Sequence, residues 1–217
     1  MVMSKQLVIV GFSGFGKEVY WLASRLGLRV RGFLDDNTDV QGQTFGAAEV
    51  LGKVSEWVNY SDCQFVIAVG NPRVRHVIYK KMISLGAPVF ACLVDPSAIV
   101  QAADVQLGPG SIVCAGTICT VDVVIGSHVI INLNCTVGHE VVIGDFVTVA
   151  PMVAISGNVT IAAHVEIGTG SSIRQGLSLE TGSMLGMGSV LTKDIKENMV
   201  FLGNPARAYK MLSAVEA

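Results

Sequence analysis

His139 and Glu140 stand side by side in the run Asn132-Leu133-Asn134-Cys135-Thr136-Val137-Gly138-His139-Glu140. An imidazole titrates near neutral pH, and a carboxylate on one ring nitrogen fixes the tautomer and leaves the other nitrogen free to take a proton. The pair reads as a general base and its orienting acid. Neighbouring side chains on an extended strand point to opposite faces, so this reading requires a turn at His139 that brings the two together. A second chemical stretch is Gly11-Phe12-Ser13-Gly14-Phe15-Gly16, with Asp35-Asp36 about twenty residues further on. A glycine turn between a strand and a helix aims backbone N–H groups at a phosphate, and an acid at that distance commonly meets a ribose hydroxyl. The order is GxxGxG and not the strict dinucleotide fingerprint.

The element that must carry His139 is a repeat. From Leu107 to Leu191 every sixth residue is aliphatic or Cys: Leu107, Val113, Cys119, Ile125, Ile131, Val137, Ile143, Val149, Ile155, Ile161, Ile167, Ile173, Leu179, Leu185, Leu191. The next residue is small or short and polar except at Arg174 and Glu180, and the fourth is Ser, Thr, Cys, Val, Leu or Ile throughout. A six-residue period fits neither a helix nor an ordinary strand and points to a β-helix solenoid. The aliphatic faces the axis, the small residue after it is expected to let the chain bend, and coils are stable only as a stack.

The elements before the repeat form a different unit. Gln6 to Val10 is a strand, Lys17 to Leu26 has helical periodicity, and Arg29 to Leu34 is a second strand, so the opening is a βαβ unit. Phe65 to Val69 is a third strand closed by Gly70-Asn71-Pro72, Arg73 to Leu85 a second helix, and Pro88 to Val94 a fourth strand. Asp95-Pro96 marks the boundary, giving a domain over 1–95 and a second over 96–217.

Composition narrows the function classes. Hydrophobic residues make up 51% and charged residues 15%, as in a chain with a large core and buried subunit contacts. The formal charge of −2 argues against nucleic acid, which requires clustered Lys and Arg. There is no apolar run of membrane-spanning length, and Met1 to Val10 reads as a strand and not a signal peptide, so the expected location is cytoplasmic without membrane attachment. The five cysteines form no CxxC or Cys/His spacing and read as buried thiols; no metal is expected. His128 and His164 read as surface or subunit-contact residues, too far apart along the coil to share a metal.

The hexads resemble those of the hexapeptide-repeat acyltransferases. GFSGFGKE, the LDD of Leu34 to Asp36, AVGNPRVRHVIYKK from Ala68 to Lys81 and INLNCTVGHEVVIGDFV from Ile131 to Val147 narrow the resemblance. They are similar to the subfamily of sialic acid O-acetyltransferase-like proteins and N-acetyltransferases of UDP-linked 4-amino sugars, of the bacillosamine-pathway type. The resemblance implies an α/β half-Rossmann domain followed by a left-handed parallel β-helix of about five coils, three hexads to a coil. It also implies a homotrimer that uses acetyl-CoA to acetylate the 4-amino group of a UDP-linked amino-dideoxy sugar.

By position, His139 is the base, Glu140 its helper and Asn132 a further catalytic residue. Gly11, Ser13, Gly14 and Gly16 meet phosphate, Asp35 or Asp36 the ribose or uracil, and Gly70, Asn71 and Arg75 the rest of the nucleotide. Arg75 by itself reads as a solvated helix charge. Thr148, Gly157, Gly168, Gly186, Met187, Gly188, Gly203, Pro205 and Arg207 line the donor site, with Gly157 N–H near the thioester carbonyl. Relatives often have Glu at Gly138 and His at Thr148, which leaves Glu140 as the local carboxylate. Two other readings are O-acetylation of sialic acid or another surface-glycan sugar, and a non-enzymatic scaffold that binds a sugar nucleotide.

Overall fold

The computed structural model describes residues 5–101 and 103–215. Met1 to Ser4, within the stretch expected to open the first strand, and Ala102 lie outside the described residues. The chain divides into two compact units, Met1–Leu93 and Val94–Ala217.

The first unit is a sheet with helices. Its strands are β1 (Leu7–Val10), β2 (Val30–Leu34), β3 (Thr44–Phe45), β4 (Ala48–Gly52) and β5 (Gln64–Ile67), in the order β3-β4-β2-β1-β5. All neighbours are parallel except β3 with β4. The helices are α1 (Gly14–Arg25) after β1 and α2 (Pro72–Ile83) after β5. β1, and β5 from Phe65 on, carry apolar runs buried on both faces, as parallel strands between helices require. The strand order reverses between β1 and β5, and at such a switch point an open α/β sheet binds its ligand. The β3–β4 hairpin has no apolar alternation to announce it and was not expected. The single strand expected over 88–94 is not formed: Phe90 makes only an isolated bridge to Phe65, while Leu93–Val94 joins a sheet of the coil. The bonds to β5 are those of Val89 O and Ala91 N with Phe65, and the chain then leaves to pair Leu93–Val94 with the coil.

The second unit is a three-faced parallel coil. Ile118 pairs with Thr136 and Thr136 with Ala154, eighteen residues on each time, so three hexads make one turn. The first face contains Ile112–Val113, Ile130–Ile131, Thr148–Val149, Glu166–Ile167 and Met184–Leu185. The second contains Ile118–Cys119, Thr136–Val137, Ala154–Ile155, Ser172–Ile173 and Val190–Leu191. The third contains Val123–Ile125, Val142–Ile143, Thr160–Ile161 and Ser178–Leu179. A hairpin of Met199–Leu202 with Arg207–Met211 extends the first face.

The aliphatics of the hexads fill one continuous core with the Val, Cys and Leu residues four positions after them. Ile143, 1% exposed and paired with Ile125 below and Ile161 above, stands near its middle. Ile143→Ala is expected to cost about 2–5 kcal/mol through lost burial and a cavity the rigid rungs cannot close, measured by denaturant unfolding. Burial pushes the thiols of Cys119 and Cys135 in this core up to about 11, which keeps them protonated and inert.

The bend lies elsewhere than expected. The small residue after each aliphatic serves close stacking: a Cβ on Gly108 would sit 2.5 Å from Gly126 C, and one on Gly144 2.8 Å from Ala163 N. The chain turns two residues later, where every sixth residue from Gly110 to Gly188 has positive φ. Glycine holds that place at both ends of the series, but between them stand Asp122, His128, Asn134, Glu140, Phe146, Met152, Asn158 and His164. A left-handed non-glycine residue costs about 1–2 kcal/mol, and here the rungs above and below impose it.

His128 is not a surface residue. It is 2% exposed, and its ring stacks on Phe146 at 5.0 Å with an interplanar angle of 8°. Phe146 stacks in turn on His164 at 5.3 Å and 4°. The three residues are one coil apart each time, so the same corner on successive rungs builds a ladder of rings.

Candidate active site

The corner between the second and third faces carries the imidazole. Val137 faces the core, Gly138 packs against the coil above, and His139 and Glu140 form the turn. Glu140 has φ 58°, and this left-handed step swings its side chain to the same side as that of His139. His139 Nδ1 lies 2.9 Å from Glu140 Oε2, with both side chains about half exposed. An ionised carboxylate only accepts, so in the neutral ring Nδ1 carries the hydrogen and Nε2 presents a lone pair.

The far edge of the ring rests on Gly157, one coil up. A Cβ built there would overlap Cε1 and Nε2 and sit 2.9 Å from Cδ2. Gly157 is buried beneath the imidazole, so its missing side chain makes the seat in which the ring lies. Asn158 N donates to His139 O at 2.8 Å, and Glu140 N donates to Val121 O at 3.2 Å. The base is thus tied to the rungs above and below it.

Most of the residues assigned to the donor stand at another corner, between the first and second faces. Gly168, Gly186, Met187 and Gly188 line it, and so does Asn132, whose Oδ1 accepts from Leu133 N at 2.8 Å. Gly168 is the floor: a Cβ there would overlap Met187 N and lie 2.8 Å from Gly186 C. Met187 and Met152 are 77% and 65% exposed, giving this glycine edge apolar sides. The C-terminal turn joins it, since Gly203 N donates to Ser189 Oγ at 3.0 Å; Pro205 follows, and Arg207 Nη1 donates to Ala206 O at 3.0 Å. Asn132 and His139 therefore occupy different corners of one chain. Thr148 belongs to neither corner, lying 8% exposed within the first face between Ile130 and Glu166.

The fold of the first unit brings the two predicted nucleotide loops together. Gly11, at the end of β1, has φ 109°, and a Cβ on it would lie 2.9 Å from Ala68 O at the end of β5. Gly16 is pressed against Gly11 O, where no side chain fits. Ser13 caps α1 without a side-chain capping bond, and Ser13 and Gly14 are exposed. Asp35 brackets the glycine loop: Oδ2 accepts from Phe12 N at 2.7 Å and Oδ1 from Asn37 N at 2.9 Å. Asp36 accepts from Val54 N at 3.1 Å and pairs with Lys81 at 2.7 Å. That Lys81 partner had no sequence signal, because it comes from the far end of α2.

Asn71 caps α2, its Oδ1 accepting from Arg73 N and Val74 N at 3.0 and 3.1 Å. Arg75 is not a solvated helix charge. It is 0% exposed, and Nη1 donates to Val69 O at 2.6 Å and Gly70 O at 3.0 Å, so the guanidinium holds the second loop from beneath. Among the described residues no group of three His, Cys, Asp or Glu could hold a metal ion, and no helix is long and apolar enough to cross a membrane.

A nucleotide-type α/β unit followed by a three-faced hexapeptide coil, with an oriented imidazole at one corner and a glycine-lined edge at another, is the architecture of an acyltransferase. Residues 6–82 match the PglD N-terminal domain family. The acetyltransferase domain of PglB from Neisseria gonorrhoeae FA1090 is 33% identical, over 95% of this chain and 100% of that one, with a TM-score of 0.88. That domain is also known in complex with acetyl coenzyme A. WeeI from Acinetobacter baumannii AYE is 29% identical over 95% and 100% of the two chains, with a TM-score of 0.83. PerB from Caulobacter crescentus, in complex with CoA and GDP-perosamine, is 25% identical over 94% and 97%, with a TM-score of 0.85. None of the curated proteins matches the chain. The chain belongs to the hexapeptide-repeat acetyltransferases with a PglD-type N-terminal domain, and its coil is the left-handed parallel β-helix of that family.

Proposed function

We propose that this enzyme transfers the acetyl group of acetyl-CoA to the 4-amino group of a UDP-linked amino-dideoxy sugar, with His139 as general base. The observation that carries the reading is the 2.9 Å contact of His139 Nδ1 with Glu140, which leaves Nε2 free at an exposed corner. The amine nitrogen attacks the thioester carbon while Nε2 accepts its proton. The C–S bond then breaks, and the thiolate of CoA takes up the proton. A backbone N–H of the Gly157 turn steadies the tetrahedral oxyanion.

The nucleotide is the share of the first unit. Gly11, Ser13, Gly14 and Gly16 meet the diphosphate, Asp35 and Asp36 the ribose and base, and Gly70 and Asn71 the remainder. Arg75 acts through the loop it holds. The acetyl donor is the share of the glycine corner of Asn132, Gly168, Gly186, Met187 and Gly188, with Gly203, Pro205 and Arg207 at its nucleotide end. The base and that corner lie on different edges of one coil, and a homotrimer completes each site by setting one subunit's base edge against its neighbour's glycine edge. The relatives that bind acetyl coenzyme A, or CoA with GDP-perosamine, support the reaction class.

The test is acetyl-CoA turnover, read as free thiol release, with 4-amino sugars linked to UDP, dTDP and GDP and with free sialic acid. The UDP-linked amine is expected to have the highest kcat/KM. Preferential turnover of sialic acid would replace N- by O-acetylation, and a GDP-linked optimum would replace the uridine assignment.

A further inference from the structure

The base stands in a column of side chains. The second residue after the inward aliphatic at this corner is Val121, His139, Gly157 and Gln175 on successive rungs. Asn158 N donates to His139 O at 2.8 Å and Gly176 N to Gly157 O at 3.1 Å, so the column rises one rung per coil. The Gly157 rung carries no side chain, and the Cε1–Nε2 edge of His139 fills it. The edge that holds Nε2, the nitrogen Glu140 does not hold, therefore lies over the Gly157 rung, and Gln175 stands on the rung next to it. Gln175 is exposed, and its carboxamide makes no hydrogen bond among the described residues. A Cβ built on the adjoining Gly176 meets nothing within 4 Å, so the space beside Gln175 is open.

We propose that Gln175 is a further substrate-contacting residue, whose Oε1 accepts the second N–H of the attacking amine while His139 Nε2 accepts the first. This rests on the amine-acetylation reading. Gln175 is two rungs from His139 but only one from Gly157, where the Cε1–Nε2 edge lies; rungs are about 4.8 Å apart, so a reacting nitrogen within about 3 Å of Nε2 is in reach of its long side chain. A neutral primary amine has one lone pair and two hydrogens. The lone pair forms the N–C bond, and one hydrogen leaves as a proton to His139 and then to the CoA thiolate. The other stays on the amide product and needs an acceptor throughout. An alcohol has no second hydrogen, so the same glutamine oxygen would be left without a donor. Gln175 thereby favours an amine over a hydroxyl acceptor.

The full-length enzyme carrying Gln175→Leu or Gln175→Glu is assayed with acetyl-CoA and the preferred amino-sugar nucleotide. Q175L is expected to lower kcat about tenfold or more, with KM for acetyl-CoA and the melting temperature unchanged, since the residue is exposed. Q175E keeps the acceptor oxygen and is expected to stay within about threefold of the wild type. A Q175L enzyme within twofold of wild type, or a Q175E enzyme as impaired as Q175L, overturns the assignment while a dead His139→Ala variant leaves the base in place. An active His139→Ala variant instead overturns the reading beneath it.

Discussion

His139→Ala is expected to lower kcat for acetyl transfer by about 10²–10⁴-fold, the usual contribution of a positioned general base. The protein is expected to stay folded, because the ring lies at an exposed corner and none of the inward positions changes. The KM for acetyl-CoA should also hold, since the glycine-lined edge is built on another corner. The loss therefore appears in the chemical step and not in donor binding. Glu140→Gln is expected to lie between this variant and the wild type, because the amide oxygen still accepts from Nδ1 but no longer offsets the charge of the imidazolium. The measurement is thiol release under saturating donor, with circular dichroism as a check on folding. Turnover by His139→Ala within tenfold of the wild type would remove His139 from the mechanism.

Much of this arrangement could be read from residue types alone, because the hexad is a strong constraint. An aliphatic or Cys at every sixth place across so long a stretch points to a solenoid, while the three hexads to a coil and the handedness came from the resemblance. The convergence of His139 and Glu140 was also legible as a requirement for a turn between them. What the sequence hides is how the turn is made. Left-handed backbone normally announces itself through glycine, yet here His128, Phe146, Met152 and Glu140 adopt it because stacked rungs dictate the corner. The same stacking hides the burial of His128, for which the usable signal was the eighteen-residue spacing to Phe146 and again to His164.

In the first unit the apolar runs revealed β1, β2 and β5, but the short β3–β4 hairpin has no pattern of its own. Arg75 misleads for a related reason. On a helical wheel it is one more charge, and only the loop folding over it turns it into a buried donor to Val69 and Gly70. Nor does any sequence period separate the corner holding Asn132 from the corner holding His139. That difference appears only once three hexads are known to make a turn, and the homotrimer proposed above rests on it.

Gly157→Ala is expected to reduce kcat by about 10²-fold while leaving stability nearly intact. The backbone at Gly157 does not have positive φ, so alanine meets no conformational penalty there. The atoms nearest its methyl group are those of the imidazole: the built Cβ overlaps Cε1 and Nε2 and comes within 2.9 Å of Cδ2. The end of a side chain can swing away at little cost to folding, but that swing moves Nε2 off its seat and strains the 2.9 Å contact with Glu140. A displacement of about 1 Å at a reacting group is enough for a hundredfold loss. A double-mutant cycle separates this clash from a general disturbance of the corner. With His139 already replaced by alanine there is no ring to displace, so adding Gly157→Ala should change kcat by less than about twofold. If the second substitution costs as much in that background as in the wild type, Gly157 acts on catalysis by some route other than seating the base.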